Sequence, residues 1–207
     1  MKLIGKGYWY NVFDLGNERV LKLEKGFQQK VKDSYSIEGK KLFTWLITVF
    51  KLLTGRKKIT ESYSYMQKHV NPALLGQPRF LNGISYEQDK VELLDIALSQ
   101  ASSEEKQKLI NLYIQNILNC WRNGFADRVY NFTINNGLTN NGQLILLDFN
   151  EVTFSKSKIL QCIWSKRWLR AWSFRQIDQK LQEYYQMQMD NLVTQKTLEE
   201  NWEQDKK

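Results

Sequence analysis

The dipeptide Asn141-Gly142 stands between two short segments and constrains the local fold more sharply than any other feature of the chain. Both residues tolerate positive φ, so they favour a two-residue hairpin turn. The turn would join a short strand near residues 136–139 to an apolar strand at residues 143–147. Asp148 follows the second strand and Asn135 precedes the first, so the hairpin predicts that these two side chains lie close together.

Asp127 lies in the loop before the hairpin and adds a second carboxylate to this region. Carboxylate and carboxamide oxygens are hard ligands of the kind that Mg²⁺ prefers. The pattern therefore predicts that Asp127, Asn135 and Asp148 place two carboxylates and a carboxamide around one point, in a set of oxygen ligands that suits Mg²⁺. Taken alone, Asp127 also fits an ordinary turn residue, and the run from Leu146 to Glu151 after a hairpin is the more specific signal.

Apolar residues alternate with polar ones mainly in the first half of the chain, and helical spacing prevails in the second half. Residues 3–24 predict a hairpin of strands, and residues 79–88 predict a second strand pair. Ser102-Ser103-Glu104-Glu105 predicts the start of a long amphipathic helix, and the tail from Ile159 onward is helical in pattern. Strands and helices segregated in this way predict an α+β fold with two lobes.

The most apolar run covers residues 42–53 and is closed by Gly55-Arg56-Lys57-Lys58. It predicts a buried helix with a basic cap at its C-terminal end. An interfacial membrane helix is the alternative, because basic residues behind apolar ones also mark such helices. Thr60 predicts the N-cap of a separate helix from Glu61 to His69, which Asn71-Pro72 would end.

Three tryptophans recur at every fourth residue near the C-terminus, as Trp164, Trp168 and Trp172. On a continuous helix this spacing places the three side chains on one face. Because such a face usually packs inward, we expect these tryptophans in the hydrophobic core, with a docking surface as the alternative.

The formal net charge of +8 is confined to the first 60 residues, which hold 13 Lys/Arg against 5 Asp/Glu. This basic N-terminal segment predicts an anionic partner, whether a nucleotide, a phosphorylated substrate, a nucleic acid or a membrane surface. A solvated basic face is the alternative. The aromatic residues in Lys6-Gly7-Tyr8-Trp9-Tyr10 fit stacking on bases, and they equally fit packing within the predicted hairpin.

Two cysteines, Cys120 and Cys162, and one histidine, His69, exclude a disulfide scaffold and a metal centre of clustered His and Cys ligands. Two thiols fit a reducing compartment. No apolar run reaches the ~18 residues that a spanning helix needs, and the first residues turn polar too soon for a signal peptide. We therefore expect a soluble, cytoplasmic protein without a transmembrane segment.

The order of Asp127, Asn135, the hairpin and Asp148-Phe149-Asn150 resembles the protein-kinase-like superfamily. In that family a catalytic-loop Asp is followed by an Asn, a hairpin and an apolar strand that ends in Asp-Phe-Gly. The resemblance implies that Asp127 orients or deprotonates the attacking hydroxyl, and that Asn135 and Asp148 hold the Mg²⁺ ions that bridge the phosphates of ATP. Asn131, four residues after Asp127, is the alternative to Asn135, since eight residues exceed the family's usual gap.

The front of the chain resembles the same family. Ile4-Gly5-Lys6-Gly7 looks like a shortened glycine-rich loop, which implies that Gly5 and Gly7 lie against the nucleotide. Val20-Leu21-Lys22 looks like the strand whose Lys holds the α- and β-phosphates. The acidic partner of Lys22 would then be Glu61, with Glu38 as the alternative.

Residues 85–89, which include Glu87, resemble the hinge that lies beside adenine between the two lobes of that fold. The resemblance thus implies a single kinase-like domain. Its N-terminal lobe, residues 1–88, would hold a small antiparallel sheet and a helix, and its C-terminal lobe, residues 89–207, would be mostly helical.

The chain departs from the family pattern at several points. Phe125-Ala126 stands where His-Arg usually precedes the catalytic Asp, Asn150 replaces a Gly, the glycine-rich loop lacks its third Gly, and nothing resembling Ala-Pro-Glu follows. These departures resemble those of minimal, divergent bacterial members, some of which act on sugars, lipids or small molecules.

The resemblance implies an ATP- and Mg²⁺-dependent phosphotransferase, and it leaves the acceptor open among proteins, sugars, lipids and small molecules. One alternative is a catalytically inactive kinase-like module that binds a nucleotide or a partner. Another is an anion-binding protein that uses its basic N-terminal segment on nucleic acid or membrane.

Overall fold

The computed structural model describes residues 1–7, 9–37 and 42–202, and the fold is mixed α+β with about 55% helix and 18% strand. The predicted α+β class is therefore confirmed at this level. The chain divides into two compact units. The sheet unit comprises Met1–Lys68 and Gln77–Lys90, and the helical unit comprises His69–Gly76 and Val91–Lys207.

The sheet unit holds five antiparallel strands in the order β1-β2-β3-β5-β4. Its elements are β1 (Lys2–Lys6), β2 (Tyr10–Asp14), β3 (Arg19–Glu24), β4 (Arg79–Phe80), β5 (Tyr86–Asp89), α1 (Phe27–Ile37) and α2 (Leu42–His69). Aromatic rings form part of its core: the ring of Tyr86 lies 5.7 Å from that of Tyr10 and 5.5 Å from that of Tyr63. These side chains point inward from β2, β5 and α2, so they join the sheet to the long helix.

Helix α2 corrects the prediction of two separate helices, because it runs unbroken for 28 residues through Gly55 and Thr60. The side chain of Thr60 does not cap a new helix, since its hydroxyl donates to the carbonyl of Arg56 one turn earlier. Gly55 is kept small by packing: a Cβ there would lie 3.0 Å from the Trp9 ring. The helix ends at His69, before Asn71-Pro72, as predicted.

The first half of α2 also differs from the buried helix that the sequence predicts. Leu52 is buried, whereas the exposed fractions are 51% for Leu46, 41% for Ile47 and 66% for Phe50. The apolar run therefore supplies both the packed side of the helix and part of its exposed side. Among the described residues, no helix combines the length and the apolar character needed to cross a bilayer.

The helical unit is built around α4, which packs on α8 and α9. In chain order its elements are β6 (Glu92–Leu93), α3 (Leu94–Gln100), α4 (Ser103–Arg122), β7 (Ala126–Asp127), α5 (Phe132–Asn135), β8 (Asn136–Leu138), β9 (Leu144–Leu146), β10 (Val152–Thr153), α6 (Lys156–Trp164), α7 (Trp172–Gln176), α8 (Gln179–Leu192) and α9 (Gln195–Asn201). The predicted start of α4 is confirmed, because Ser102 and Glu105 form a reciprocal capping box. Trp121, Phe132 and Tyr185 are among the fully buried side chains of its core.

The predicted hairpin is present, but its turn is longer than predicted. Strands β8 and β9 pair from Asn136↔Leu146 to Leu138↔Leu144. The amide of Thr139 donates to the carbonyl of Gln143, and the amide of Gly142, at φ 78°, donates back to the carbonyl of Thr139. The loop therefore has three residues and ends in a left-handed glycine, instead of the two-residue turn that Asn141-Gly142 favours.

The tryptophan prediction is wrong for two of the three residues. Trp168 is buried, but the exposed fraction is 67% for Trp164 and 51% for Trp172. Helix α6 ends at Trp164, and Lys166 then takes a left-handed conformation at φ 44° that breaks the helical register. A 3₁₀ turn at Arg167–Arg170 and the separate helix α7 follow. A tryptophan at every fourth residue therefore no longer places the three side chains on one helix face.

Candidate functional site

The open end of the β8–β9 hairpin places Asn135 opposite the end of the apolar strand. Asn135 is the last residue of α5, and its carbonyl accepts a hydrogen bond of 2.8 Å from the amide of Leu147. This bond continues the strand pairing by one residue, so Asp148 emerges directly beyond it. Asp148 is half-buried, whereas Asn135 is buried.

A second, shorter strand pair brings Asp127 to the same place. In it, Asp127 of β7 pairs with Val152 of β10. Glu151 precedes Val152 and lies opposite Arg128, just after the end of β7, where the amide of Arg128 donates to the carbonyl of Glu151 at 3.1 Å. The side-chain amide nitrogen of Asn135 lies 3.5 Å from Oδ2 of Asp127 and 3.3 Å from Oε2 of Glu151. We call Asp127, Asn135, Asp148 and Glu151 the acidic cluster.

Two carboxylates of the acidic cluster are oriented by their own turns. Oδ1 of Asp127 accepts from the amide of Val129 at 2.8 Å, and Oδ1 of Asp148 accepts from the amide of Asn150 at 2.9 Å. Such Asx turns fix the direction of a side chain through the backbone that follows it. In each aspartate, one carboxylate oxygen thus accepts a hydrogen bond from a backbone amide.

The loop that carries Asp127 to Asn135 contains a strained residue. Tyr130 is buried and takes φ 57°, a conformation that bulky side chains rarely adopt. Backbone strain of this kind persists only where the surrounding packing enforces it, and it is common at functional sites. Sequence reasoning gave no signal for it.

Two members of the acidic cluster, Asp127 and Glu151, have raised pKa values. Burial is the main cause for Asp127, whose pKa rises to about 6, and the charge of Asp148 adds to the effect. Burial again leads for Glu151, whose pKa rises to about 7 with further contributions from Asp148 and Asp127. Hydrogen bonds from Asn135 oppose both increases without cancelling them. A cation bound here would relieve this crowding of negative charge.

Glu151 is the member of the acidic cluster that the sequence-based site prediction missed. Its signal is present in the motif, since it stands three residues after Asp148 in the run that closes the hairpin. The side chain of the alternative ligand, Asn131, is engaged elsewhere, because its oxygen accepts from the amide of Trp172 at 3.0 Å. Of the two asparagines, Asn135 is therefore the one that faces Asp127 and Glu151.

The predicted ligands Asn135 and Asp148 would hold a metal ion only if substrate or water supplied further ligands. In the part of the chain that the structure describes, no three His, Cys, Asp or Glu side chains are arranged to hold a metal by themselves. Mg²⁺ does not need such a cage, because it is often held by one or two carboxylates together with substrate phosphates and water. The donor chemistry of the acidic cluster fits that arrangement.

The remaining predicted residues belong to the sheet unit. Gly5 lies in β1 near Val12, and the amide of Gly7 donates to the carbonyl of Tyr10 at 2.9 Å, which closes the β1–β2 connection. Tyr8 of that connection lies outside the described residues. Glu87 lies on β5 and pairs with Arg79 at 2.5 Å, three residues before the chain leaves the sheet unit at Lys90.

Lys22 and one of its two proposed partners, Glu61, belong to different elements of the sheet unit. Lys22 lies on β3, and its ammonium group lies 5.2 Å from the centroid of the Tyr86 ring. Glu61 is an exposed residue of α2. Glu38 lies outside the described residues.

The aromatic residues near the N-terminus are packed within the sheet unit. Tyr10 is buried, and its hydroxyl is hydrogen-bonded to that of Tyr63. The ring of Trp9 contacts Gly55 and lies 4.5 Å from the ammonium group of Lys30. For these two residues, packing within the fold describes the structure better than a platform for stacked bases.

No protein-family model matches the chain, and no curated protein matches it at a significant level. The role of the acidic cluster must therefore be inferred from its own chemistry and from the resemblance of its motifs.

Proposed function

We propose that this chain is an ATP- and Mg²⁺-dependent phosphotransferase with a divergent, two-lobed kinase-like fold. The observation that carries the proposal is the convergence of Asp127, Asn135 and Asp148 at the open end of one hairpin, in the order that the kinase-like superfamily uses. Phosphoryl transfer asks a protein mainly to position the reactants and to neutralise charge. A cluster of carboxylates with raised pKa values is suited to bind the cation that does so.

In this proposal each member of the acidic cluster has one task. Asp148 and the side-chain oxygen of Asn135 hold Mg²⁺, which supplies the positive charge that the transferred phosphoryl group requires. Asp127 orients the acceptor hydroxyl and takes its proton. A pKa of about 6 for Asp127 suits this task, because a general base works best when its pKa is close to the operating pH.

The roles proposed for Gly5, Gly7, Lys22, Glu61 and Glu87 in nucleotide binding rest on the resemblance alone. Lys22 is the most informative of them, since it would hold the α- and β-phosphates. Its replacement by Met would keep the aliphatic stem beside Tyr86 and remove only the charge. We expect this variant to fold and to lose affinity for ATP.

Calorimetry of ATP binding tests the metal assignment. The wild-type chain is titrated with ATP in the presence and absence of Mg²⁺, and so is Asp148→Asn, which keeps the oxygen that accepts from the amide of Asn150. Glu104→Gln provides the control, because it makes the same change from carboxylate to carboxamide at an exposed site on α4. We expect Mg²⁺-dependent binding in the wild type and the control and its loss in Asp148→Asn. Absence of binding at millimolar ATP in the wild type would refute the proposal.

The alternative is a catalytically inactive module that still binds nucleotide. It draws support from the missing His-Arg before Asp127 and from the shortened glycine-rich loop. Turnover distinguishes the two: ATP hydrolysis or transfer above background that Asp127→Asn abolishes, with binding retained, supports the phosphotransferase. Binding without any turnover on protein, sugar and lipid acceptors supports the inactive module.

A further inference from the structure

The exposed side of α2 is apolar in its first half. Leu46, Ile47 and Phe50 are each exposed by 41% or more, and an α-helix that turns about 100° per residue places Phe50 about 40° from Leu46. The opposite side of the helix is buried in the sheet unit through side chains that include Leu52, Ile59, Tyr63 and Met66. From Leu52 onward the helix therefore has a packed side, and before it the other side presents large apolar groups to solvent.

The same exposed side becomes basic about two turns after Phe50. Lys57 and Lys58 are exposed, and Lys57 lies about 20° from Leu46 around the helix and ~17 Å along its axis. From Leu42 to Lys58 the sequence has four basic residues and no acidic one. Arg56 forms an ion pair with Glu24 at 2.9 Å, whereas Lys57 and Lys58 present their charges on the exposed side of the helix.

We propose that this face of α2, defined by Leu46, Ile47, Phe50, Lys57 and Lys58, binds the surface of a lipid bilayer that contains anionic lipids. The apolar side chains would enter the boundary between headgroups and acyl chains, and the lysines would contact lipid phosphates. Such a helix lies in the interface without crossing it. This inference does not depend on the phosphotransferase proposal.

The chemistry of the face distinguishes a bilayer from the two other obvious occupants. A nucleic acid would match the lysines, but it offers nothing comparable to an acyl layer for Leu46, Ile47 and Phe50. A second copy of the chain could cover the apolar residues, but the segment from Leu42 to Lys58 contains no acidic residue, so the same face of a second copy offers the lysines nothing to pair with. Of these three occupants, the anionic bilayer is the one that complements both halves of the face.

Vesicle flotation with the full chain tests the proposal. One set of vesicles is phosphatidylcholine alone, and the other contains about 30 mol% phosphatidylglycerol to set a negative surface potential. We expect the chain to float with the anionic vesicles and to remain in the bottom fraction when only neutral vesicles are present. We also expect binding to fall as NaCl rises from about 0.05 M to about 0.5 M, because salt screens the attraction.

Two variants separate the apolar from the electrostatic contribution. Leu46→Ser with Phe50→Ser removes the inserted side chains, and we expect roughly a tenfold loss of binding or more. Lys57→Gln with Lys58→Gln removes two charges, and we expect a loss of roughly fivefold per lysine. The controls are Met187→Ser and the pair Lys180→Gln and Lys196→Gln, which change exposed residues of the helical unit and leave binding unchanged.

Several results would overturn the proposal. These are equal flotation with neutral vesicles, no flotation at all, or equal losses in the variants and the controls. Sedimentation that shows a dimer dissolved by the serine variant, without vesicle binding, would assign the face to a second copy. Salt-sensitive binding of single-stranded DNA that the lysine variant abolishes, again without vesicle binding, would assign it to nucleic acid.

Discussion

The side-chain amide of Asn135 points at Oε2 of Glu151 from 3.3 Å, so a neutral donor stands between carboxylates at the centre of the acidic cluster. The same nitrogen lies 3.5 Å from Oδ2 of Asp127. The half-buried carboxylates of Asp127, Asp148 and Glu151 repel one another, and the amide offsets part of that repulsion by donating to two of them. A negative charge at position 135 would therefore add to the repulsion within the acidic cluster.

We predict that Asn135→Asp destabilises the chain strongly at neutral pH. The substitution keeps the size of the side chain, removes the donor and adds a negative charge beside Asp127 and Glu151. We expect the free energy of unfolding to fall by about 3 kcal/mol or more at pH 8, because a buried charge is left without compensation. Urea unfolding measures the loss, and we expect it to shrink at pH 5, where protons neutralise the cluster.

Asn131→Asp is the matched control for this prediction. Its side-chain oxygen accepts from the amide of Trp172, and an aspartate retains that acceptor. We expect a change below about 1 kcal/mol at both pH values. Equal losses for the two variants would show that position 135 has no special electrostatic role.

We predict that the wild-type chain loses stability as the pH rises from about 4 to about 7. The pKa of Asp127 is raised to about 6 and that of Glu151 to about 7, so the folded state binds more protons than the unfolded state across this range. The free energy of unfolding therefore decreases with rising pH and levels off above about pH 8, where the folded state has also lost the proton of Glu151. The two shifts correspond to about 6 kcal/mol in total, and because both side chains are partly exposed to solvent we expect a contribution of about 2–4 kcal/mol.

Glu151→Gln tests this assignment. The variant cannot titrate at position 151, and its side chain keeps an oxygen for the amide of Asn135. Melting temperatures measured from pH 4 to pH 8, with ionic strength held constant, should decline less steeply in the variant than in the wild type. Parallel curves for the two proteins would contradict the raised pKa of Glu151.

The sequence predicted the parts of this site that depend on local signals. A hairpin around Asn141-Gly142 places Asn135 and Asp148 at its open end whether the turn has two or three residues, so the error in the turn left the site intact. The start of α4 was likewise readable, because Ser102 and Glu105 supply the capping box within four residues. Both features require only short-range information.

The errors arose where distant contacts override local preference. Gly55 in the sequence predicts the end of a helix. In the structure the Trp9 ring packs on Gly55 and the helix continues, so the two predicted helices form one. The spacing of Trp164 and Trp172 reads as one face, but the left-handed Lys166 breaks the register between them. Glu151 joins Asp127 through the pairing of β7 with β10, two strands of two residues each that no periodicity reveals.

We predict that Gly137→Ala destabilises the pairing of β8 with β6 next to the acidic cluster. Gly137 lies in β8 directly after Asn136, and a Cβ there would lie 2.4 Å from Cγ2 of Val91 and 2.9 Å from the carbonyl oxygen of Glu92. The backbone of β6 or β8 must then move apart, which we expect to cost about 2–3 kcal/mol. Urea unfolding of this variant is compared with Gly26→Ala, whose Cβ would meet no atom within 4 Å. A loss for Gly26→Ala as large as that for Gly137→Ala would contradict the steric explanation.

We predict that binding of Mg²⁺ and ATP at pH 6.5 releases protons from the acidic cluster. With pKa values of about 6 and about 7, Asp127 and Glu151 together hold roughly one proton at this pH in the free chain. A cation at Asp148 and Asn135 favours the ionised form of both neighbours, so it expels most of that proton. Calorimetry in two buffers with different ionisation enthalpies measures the number released, after correction for the titration of ATP itself. We expect Glu151→Gln to reduce the release by more than half while it retains binding, and an unchanged release in this variant would place the proton source outside the cluster.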